Sequence, residues 1–331
     1  MIISRTPYRI SFFGGGTDYP DWYLRNGGQV LSTSIDKYVY ISCRYLLPFF
    51  DHRLRLVYTK LENCQNSNEL DHPSARQVLK FVGIEKDLEI HYDGDLPARS
   101  GIGSSSAFTV GLLNALYKYK NINVSQRNLA KKSIHIEQNL IKECVGSQDQ
   151  ISVACGGFNH IKFLKNGKFV LNPVKLSKNK LKKLEKCLML FHTGIFRTSE
   201  TITKNYFKNY KKKENTLIKL NLIVEEAIDS LKKNQLDNFG KLLNETWLMK
   251  KNLSQSITNN FIDKIYNKAI DNGALGGKIT GAGGGGFLLL YVPLNKQMKV
   301  KKALSNLTHV PFKFENKGSQ IIFSKEFSKI N

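Results

Sequence analysis

Leu96-Pro97-Ala98-Arg99-Ser100-Gly101-Ile102-Gly103-Ser104-Ser105-Ser106-Ala107 is the stretch on which the reading of this chain turns. Two glycines and three consecutive serines stand directly before apolar residues at helical spacing (Phe108, Leu112, Leu113, Leu116), which predicts a helix over 104–119. Glycine lets the backbone approach a ligand closely, and the first turn of a helix leaves N–H groups unpaired and partially positive. Together they make a site for a phosphate. Taken alone, the same residues also describe a Ser-capped helix after a flexible turn. What else the chain carries decides between the two.

A second glycine cluster, Gly276-Gly277-Lys278-Ile279-Thr280-Gly281-Ala282-Gly283-Gly284-Gly285-Gly286, holds seven glycines in eleven residues. It matches G-x-G-x-x-G from Gly281 to Gly286, yet it leads into a predicted strand at 287–292 instead of opening a helix, which excludes a dinucleotide fold. Ile279 follows Lys278 where a P-loop needs Ser or Thr, and the H-R-D and D-F-G marks of protein kinases are absent. A third element is Thr6-Pro7-Tyr8-Arg9-Ile10-Ser11-Phe12-Phe13-Gly14-Gly15-Gly16-Thr17-Asp18-Tyr19, a strand carrying Arg9 that runs into three glycines and a short polar pair. The fourth is a helix predicted over 125–144, capped by Ser125, with the loop Val145-Gly146-Ser147-Gln148-Asp149-Gln150 after it. In one straight helix Glu137 and Asp149 would lie about 18 Å apart, too far to share one phosphate. Gly146 is expected to end the helix and turn the chain back.

The bulk properties fit a globular chain of one large or two ordinary domains: 331 residues, 41% hydrophobic and 11% aromatic. A formal charge of +23 raises the question of nucleic acid or an anionic membrane. The basic residues are mostly Lys spread along the chain, as in 178–186 and 204–213, with no stripe of Arg interleaved with aromatics. They read as solvated surface. The five cysteines form no C-x-x-C pair and no metal-ligand spacing, which predicts free thiols in a reducing compartment. The first residues lack the apolar core of a signal peptide, and the longest apolar run, 287–292, is too short to span a membrane. The expectation is a cytoplasmic protein without nucleic-acid or membrane partners.

Strands are predicted at 8–13, 38–43, 54–58 and 88–92, helices at 73–82 and 104–119, and a hairpin of 158–163 with 169–171 around Asn166-Gly167. A Lys/Asn-rich patch at 177–186 marks the expected boundary between two lobes, 1–176 and 177–331. Beyond it come a strand at 187–192, helices at 200–213, 215–233, 236–250 and 260–272, the glycine cluster with its strand, a helix near 295–307 and a last strand at 320–323. This order suggests an α+β sandwich in the second lobe.

The four elements, in this order, resemble the GHMP kinases, the family of galactokinase, homoserine kinase and mevalonate kinase, over nearly the whole chain. Pro97, Gly101, Gly103, Ser104 and Ser105 look like its P-x-x-x-G-x-G-S-S signature, and 278–286 looks like its third motif. Arg9 nine residues before Asp18, and Glu137 twelve before Asp149, agree with family spacings. The resemblance implies an α+β GHMP two-lobe fold, with a ribosomal-protein-like N-terminal lobe and a ferredoxin-like C-terminal lobe. It implies ATP and Mg²⁺ as cofactors. The loop from Pro97 through Gly101, Ile102, Gly103, Ser104, Ser105 and Ser106 would cradle the ATP phosphates. Ser105 (or Ser104) and Glu137 would hold Mg²⁺. Asp149 would sit beside the acceptor hydroxyl with Arg9 next to it, Asp18 would bond a substrate hydroxyl, and Gly283, Gly284 and Gly285 would close the site.

Galactokinases read G-E-H-T-D-Y where this chain reads Gly14-Gly15-Gly16-Thr17-Asp18-Tyr19, so the Glu and His that contact galactose are replaced. Loss of the carboxylate suits an anionic substrate, and successive glycine amides suit an anion. The pattern R-I-S-F-x-G-G-G-T-D-x-P most resembles the branch whose members phosphorylate heptose 7-phosphate and fucose. The segment 191–199 resembles that branch's T-G-x-x-R-x-[AS] run, and Arg197 becomes a candidate substrate contact. The resemblance implies ATP-dependent phosphorylation at C1 of D-glycero-D-manno-heptose 7-phosphate, with Gly14 to Asp18 binding the sugar. A fucokinase or galactokinase-like enzyme is the nearest alternative, and a basic RNA-binding protein without catalysis a remote one.

Overall fold

A computed structural model of the chain describes residues 1–196 and 210–325. The chain opens with two long antiparallel strands, β1 (Ile2–Phe13) and β2 (Gly28–Tyr45), with the short helix α1 (Pro20–Asn26) between them. The expected strand at 8–13 therefore starts six residues earlier. Strands β3 (Leu54–Val57), β4 (Leu61–Cys64) and β5 (Leu88–Gly94) extend the sheet, and helix α2 (Pro73–Val82) packs on it. Helix α2 has the expected limits because His72 caps its start and Gly83, left-handed at φ +71°, ends it.

Helix α3 (Ser104–Tyr119) runs through the centre of the lobe and is buried on almost every side. Gly111 lets it cross the sheet: a Cβ there would meet Thr6 Oγ1 at 3.0 Å, and its carbonyl accepts from Ser4 Oγ at 2.8 Å. The helix predicted over 125–144 is broken. Ser125 caps α4 (Gln126–His135), which widens into a π turn at Ile136–Leu140, and Lys142, left-handed at φ +63°, turns the chain. Gly146 does not make the turn. Helix α5 (Gln148–Cys155) then leads to the hairpin β6 (Phe158–Phe163) and β7 (Phe169–Pro173).

The Lys-rich patch expected as a boundary is itself helix α6 (Lys178–Lys186), with Ser177 Oγ accepting from Lys180 N and Leu184 buried. The second lobe follows, from β8 (Leu188–His192) through α7 (Tyr210–Lys232), α8 (Leu236–Lys251) and α9 (Asn260–Asp271) to β9 (Gly276–Ile279). It ends with β10 (Phe287–Tyr291), α10 (Gln297–Ala303) and β11 (Thr308–His309). The sheet order β11-β8-β10-β9, all antiparallel, is the ferredoxin-like arrangement.

Two short strands remain, β12 (Phe314–Glu315) and β13 (Gln320–Ser324). The division at 176/177 assigns them to the second lobe, but they do not join its sheet. Strand β12 pairs with β2 and β13 with β1, so both belong to the nine-stranded first sheet. The second lobe is thus an insertion held at both ends by the first. Phe12 and Phe13 of β1 pack edge-on against Phe239 of α8, with ring centroids 5.5 and 5.0 Å apart, and weld the lobes together.

Candidate active site

Arg9 leaves β1 toward the seam between the lobes and is almost fully buried. Its Nε and Nη2 donate to Asp149 Oδ1 and Oδ2, each at 2.7 Å, and Nη1 donates to the Gly101 carbonyl at 2.7 Å. The Arg9 amide also donates to the Ile102 carbonyl at 3.0 Å. One residue thereby joins the strand, the Gly/Ser loop and the first turn of α5. Glycine is required at 103, since φ is +79° and a Cβ would lie 3.0 Å from Arg9 Cγ.

The Gly/Ser loop is braced from within. Ser100 Oγ donates to the Pro97 carbonyl and the Arg99 amide donates to Ser104 Oγ. No side chain caps α3, so its leading N–H groups stay available to a ligand. Gly101, Gly103, Ser104, Ser105 and Ser106 line a cleft of about 1030 Å³, counting its open mouth. Pro97 and the buried Ile102 shape the loop from behind.

The π turn carries Glu137 inward, where it is fully buried. Its Oε2 accepts from Ser106 Oγ at 3.0 Å and from Gln150 Nε2. Ser106 is the serine bonded directly to Glu137, while Ser105, expected to share Mg²⁺ with Glu137, is exposed at the cleft. Because the helix starts at Ser104, the third serine faces the core and the second faces out. Burial, and after it the charge of Glu143, raises the Glu137 carboxyl to about 8. Glu137 Oε1 and Gln150 Oε1 are buried without a partner. Two orphaned oxygens beside a phosphate-binding loop fit a small hard cation that takes its other ligands from phosphate and hydroxyl oxygens.

Of the predicted acceptor residues, Gly15, Gly16 and Asp18 line the cleft. Gly14 and Thr17 do not. Thr17 Oγ1 bonds the Gly14 and Gln29 carbonyls, and a Cβ on Gly14 would fall 2.0 Å from Gln29 O, so both brace the loop. Asp18 is buried, its Oδ1 accepting from the Gly16 amide at 3.0 Å and its Oδ2 from the Gln148 amide at 3.4 Å. Burial, and next the nearby charge of Asp149, raises Asp18 to about 6. Gly146 is glycine because a Cβ would lie 1.8 Å from Asp18 Oδ2.

From the second lobe, Gly281 and Ala282 line the cleft, whereas Gly283, Gly284 and Gly285 pack away from it. A Cβ on Gly283 would be 2.7 Å from Ile257 O, Gly284 N donates to the same carbonyl at 2.7 Å, and Gly285 abuts Ile195. The two glycine loops interlock: a Cβ at Gly101 would be 2.5 Å from Thr280 O, and one at Gly286 2.1 Å from Ser100 O. Arg197 lies outside the described residues. Sequence reasoning missed Lys278, which is buried on β9, lines the cleft and donates to the Phe12 carbonyl at 3.0 Å. Burial, with the Arg9 charge behind it, lowers Lys278 to about 7. The lysine in the K-I-T-G sequence was the available signal.

A phosphate-binding helix start, a paired Arg–Asp and a buried carboxylate in one interlobe cleft define an ATP-dependent phosphotransferase. The chain belongs to the GHMP kinases: the model of the GHMP kinase N-terminal domain matches residues 73–157 and that of the C-terminal domain residues 227–309. It is 29% identical over 315 residues to a D-glycero-alpha-D-manno-heptose 7-phosphate kinase of Campylobacter jejuni, covering 92% of this chain and 93% of that protein. A galactokinase of Pyrococcus furiosus is 23% identical, with 92% of each chain covered. Among solved structures, a D-glycero-D-manno-heptose 1-phosphate kinase from Bacteroides thetaiotaomicron superposes with a TM-score of 0.80 at 22% identity, covering 99% of this chain and 100% of that one. Among the described residues, no helix is long and apolar enough to cross a membrane.

Proposed function

We propose that this chain transfers the γ-phosphoryl group of ATP to the C1 hydroxyl of D-glycero-D-manno-heptose 7-phosphate, giving heptose 1,7-bisphosphate. The observation that carries the chemistry is the Arg9 fork, which ties the phosphate loop at Gly101 to Asp149 across 2.7 Å bonds. Phosphoryl transfer needs positioning and stabilisation of charge on the equatorial oxygens more than covalent chemistry. The Arg9 guanidinium and the uncapped start of α3 supply that stabilisation from fixed positions. Asp149, with both oxygens already accepting from Arg9, orients the C1 hydroxyl and takes its proton as the bond to phosphorus forms. Asp18 accepts a hydrogen bond from a neighbouring sugar hydroxyl. Glu137, with a loop serine, would hold Mg²⁺, which neutralises charge on the ATP phosphates when bound.

The choice of sugar is supported by the full-length similarity to a heptose 7-phosphate kinase and by Gly15 and Gly16 standing where galactokinases carry Glu and His. In this reading the product feeds nucleotide-activated heptose synthesis for lipopolysaccharide, capsule or S-layer glycans in the cytoplasm. A panel of heptose 7-phosphate, L-fucose and D-galactose with ATP and Mg²⁺, read by product NMR, tests it. Preferred formation of a C1 phosphate on the heptose is expected. Turnover of fucose with none of the heptose overturns the substrate assignment and leaves the family intact.

A further inference from the structure

Lys250 stands in the wall of the cleft although no sequence motif contains it. It lies in the last turn of α8, is 5% exposed, and lines the cleft beside Gly281 and Ala282. Lysine is rarely buried to this degree unless its charge has a group to meet. Lys251, the next residue, takes the ordinary course. It pairs with Asp263 of α9 at 3.1 Å and does not line the cleft.

The backbone sets where the Lys250 ammonium sits. Helix α8 is pressed onto β9: a Cβ on Gly276 would lie 2.1 Å from Gly240 O and 2.6 Å from Asn244 N. Tyr266 Oη of α9 donates to Asn244 Oδ1 at 2.7 Å, and Trp247 is fully buried. From this fixed helix Lys250 Nζ donates to the Gly281 carbonyl. Gly281 follows Thr280, whose Oγ1 donates to the Ser100 carbonyl at 3.3 Å and whose own carbonyl abuts Gly101. The Gly101 carbonyl accepts from Arg9 Nη1. Arg9 of the first lobe and Lys250 of the second thus reach one backbone seam, beside the Gly/Ser loop.

The charges around the seam call for a second cation. Arg9 donates two N–H groups to Asp149 and one to Gly101, and the carboxylate offsets its charge. Asp18 and Glu137 add acidic groups to the same cleft. Lys278, the other buried lysine of the cleft, donates to the Phe12 carbonyl on β1. A carbonyl anchor fixes an ammonium in place without neutralising it, so Lys250 brings positive charge to the loop side of the cleft.

We propose that Lys250 Nζ donates to an oxygen of the γ-phosphoryl group during its transfer, as the second lobe's counterpart to Arg9. This rests on the reading of the chain as a sugar kinase, and not on which sugar accepts. In the step, the acceptor oxygen bonds to the γ-phosphorus and its proton passes to Asp149. The bond from phosphorus to the β–γ bridging oxygen breaks, and its electron pair leaves on ADP. Lys250 keeps its proton throughout and offsets charge on the equatorial oxygens.

Steady-state kinetics of Lys250→Met, Lys250→Gln and Lys251→Met, with ADP binding by calorimetry and thermal melting of each, test this. The acceptor is whichever of heptose 7-phosphate, L-fucose and D-galactose the wild type phosphorylates at lowest concentration, so failure of the heptose assignment does not carry this proposal with it. Lys250→Met is expected to lower kcat about 100-fold, the loss typical of one preorganised donor to a transition state, with both KM values little changed. Lys250→Gln keeps a donor for the Gly281 carbonyl without the charge and should lose as much. ADP lacks the transferred group and should bind both variants as it binds the wild type. Lys251→Met, which breaks only the pair with Asp263, should keep the wild-type kcat. A loss of kcat below tenfold in the Lys250 variants overturns the proposal. So does a rise confined to the acceptor KM, which would put the lysine on the sugar or its phosphate. A lowered melting temperature with kcat and both KM values impaired together, or an equal loss in Lys251→Met, marks a structural role and also overturns it. Turnover of none of the three sugars by the wild type overturns it together with the sugar-kinase reading.

Discussion

At the scale of single residues, the site combines charges that the free protein holds at a cost. Asp18 titrates at about 6, above the 3.8 of an ordinary carboxylate, so the folded protein binds this proton more tightly than the unfolded chain. Ionised Asp18 therefore lowers stability above pH 6, and the loss fades as pH falls from 6 toward 4. Asp18→Asn should stabilise the free protein at pH 8 by up to about 3 kcal/mol. The gain should fade toward pH 4, as read by denaturant melts across that range, while the sugar KM rises. A pH-independent gain would show that the carboxylate's charge is not the cause. Lys278 belongs to the same account. Its site is assembled from Phe12 of one lobe and β9 of the other, so nothing local in the sequence marks it as buried.

At the scale of elements, the parts read best from sequence are those with local punctuation. Helix α2 lies between His72 and Gly83, and α3 starts where Gly103 leaves off, so propensity and capping alone place them. The break after α4 has no such mark. Gln126 to Leu140 reads as uninterrupted helix, and the π turn arises because burying Glu137 against Ser106 and Gln150 repays the widened ladder. The same blindness to tertiary contact assigned the turn to Gly146, whose missing side chain makes room for Asp18 instead. Gly146→Ala should consequently push the Asp18 carboxylate out of place. A sugar KM raised at least tenfold, with the ATP KM near wild type, is the expected kinetic result. Equal changes in both would mean that the loop as a whole has shifted.

At the scale of the whole molecule, two glycine loops meeting backbone to backbone and a Phe12–Phe13–Phe239 cluster make one cleft from two lobes. The first lobe also owns the final strands. Thr6 Oγ1 and Asn114 Nδ2 both bond Ser319 Oγ, and Gly318 sits against the Ala154 carbonyl, so β13 is bolted to the sheet and to α5 alike. Removing residues 311–331 should lower the melting temperature by about 10 °C or more, since several kcal/mol of strand pairing and burial leave with them. A truncated protein melting within a degree or two of the full chain would contradict that role. The pairing of β1 with β13 also has a consequence for how the protein is made. At roughly 5–20 residues per second, translation reaches β13 some 15–60 s after β1 has left the ribosome. Through that interval the Ile2–Arg5 part of the outer edge of β1 is an open template for other strands. A ribosome that stalls anywhere before residue 320 therefore holds out the Ile2–Arg5 edge of β1 without the strand that covers it in the finished fold.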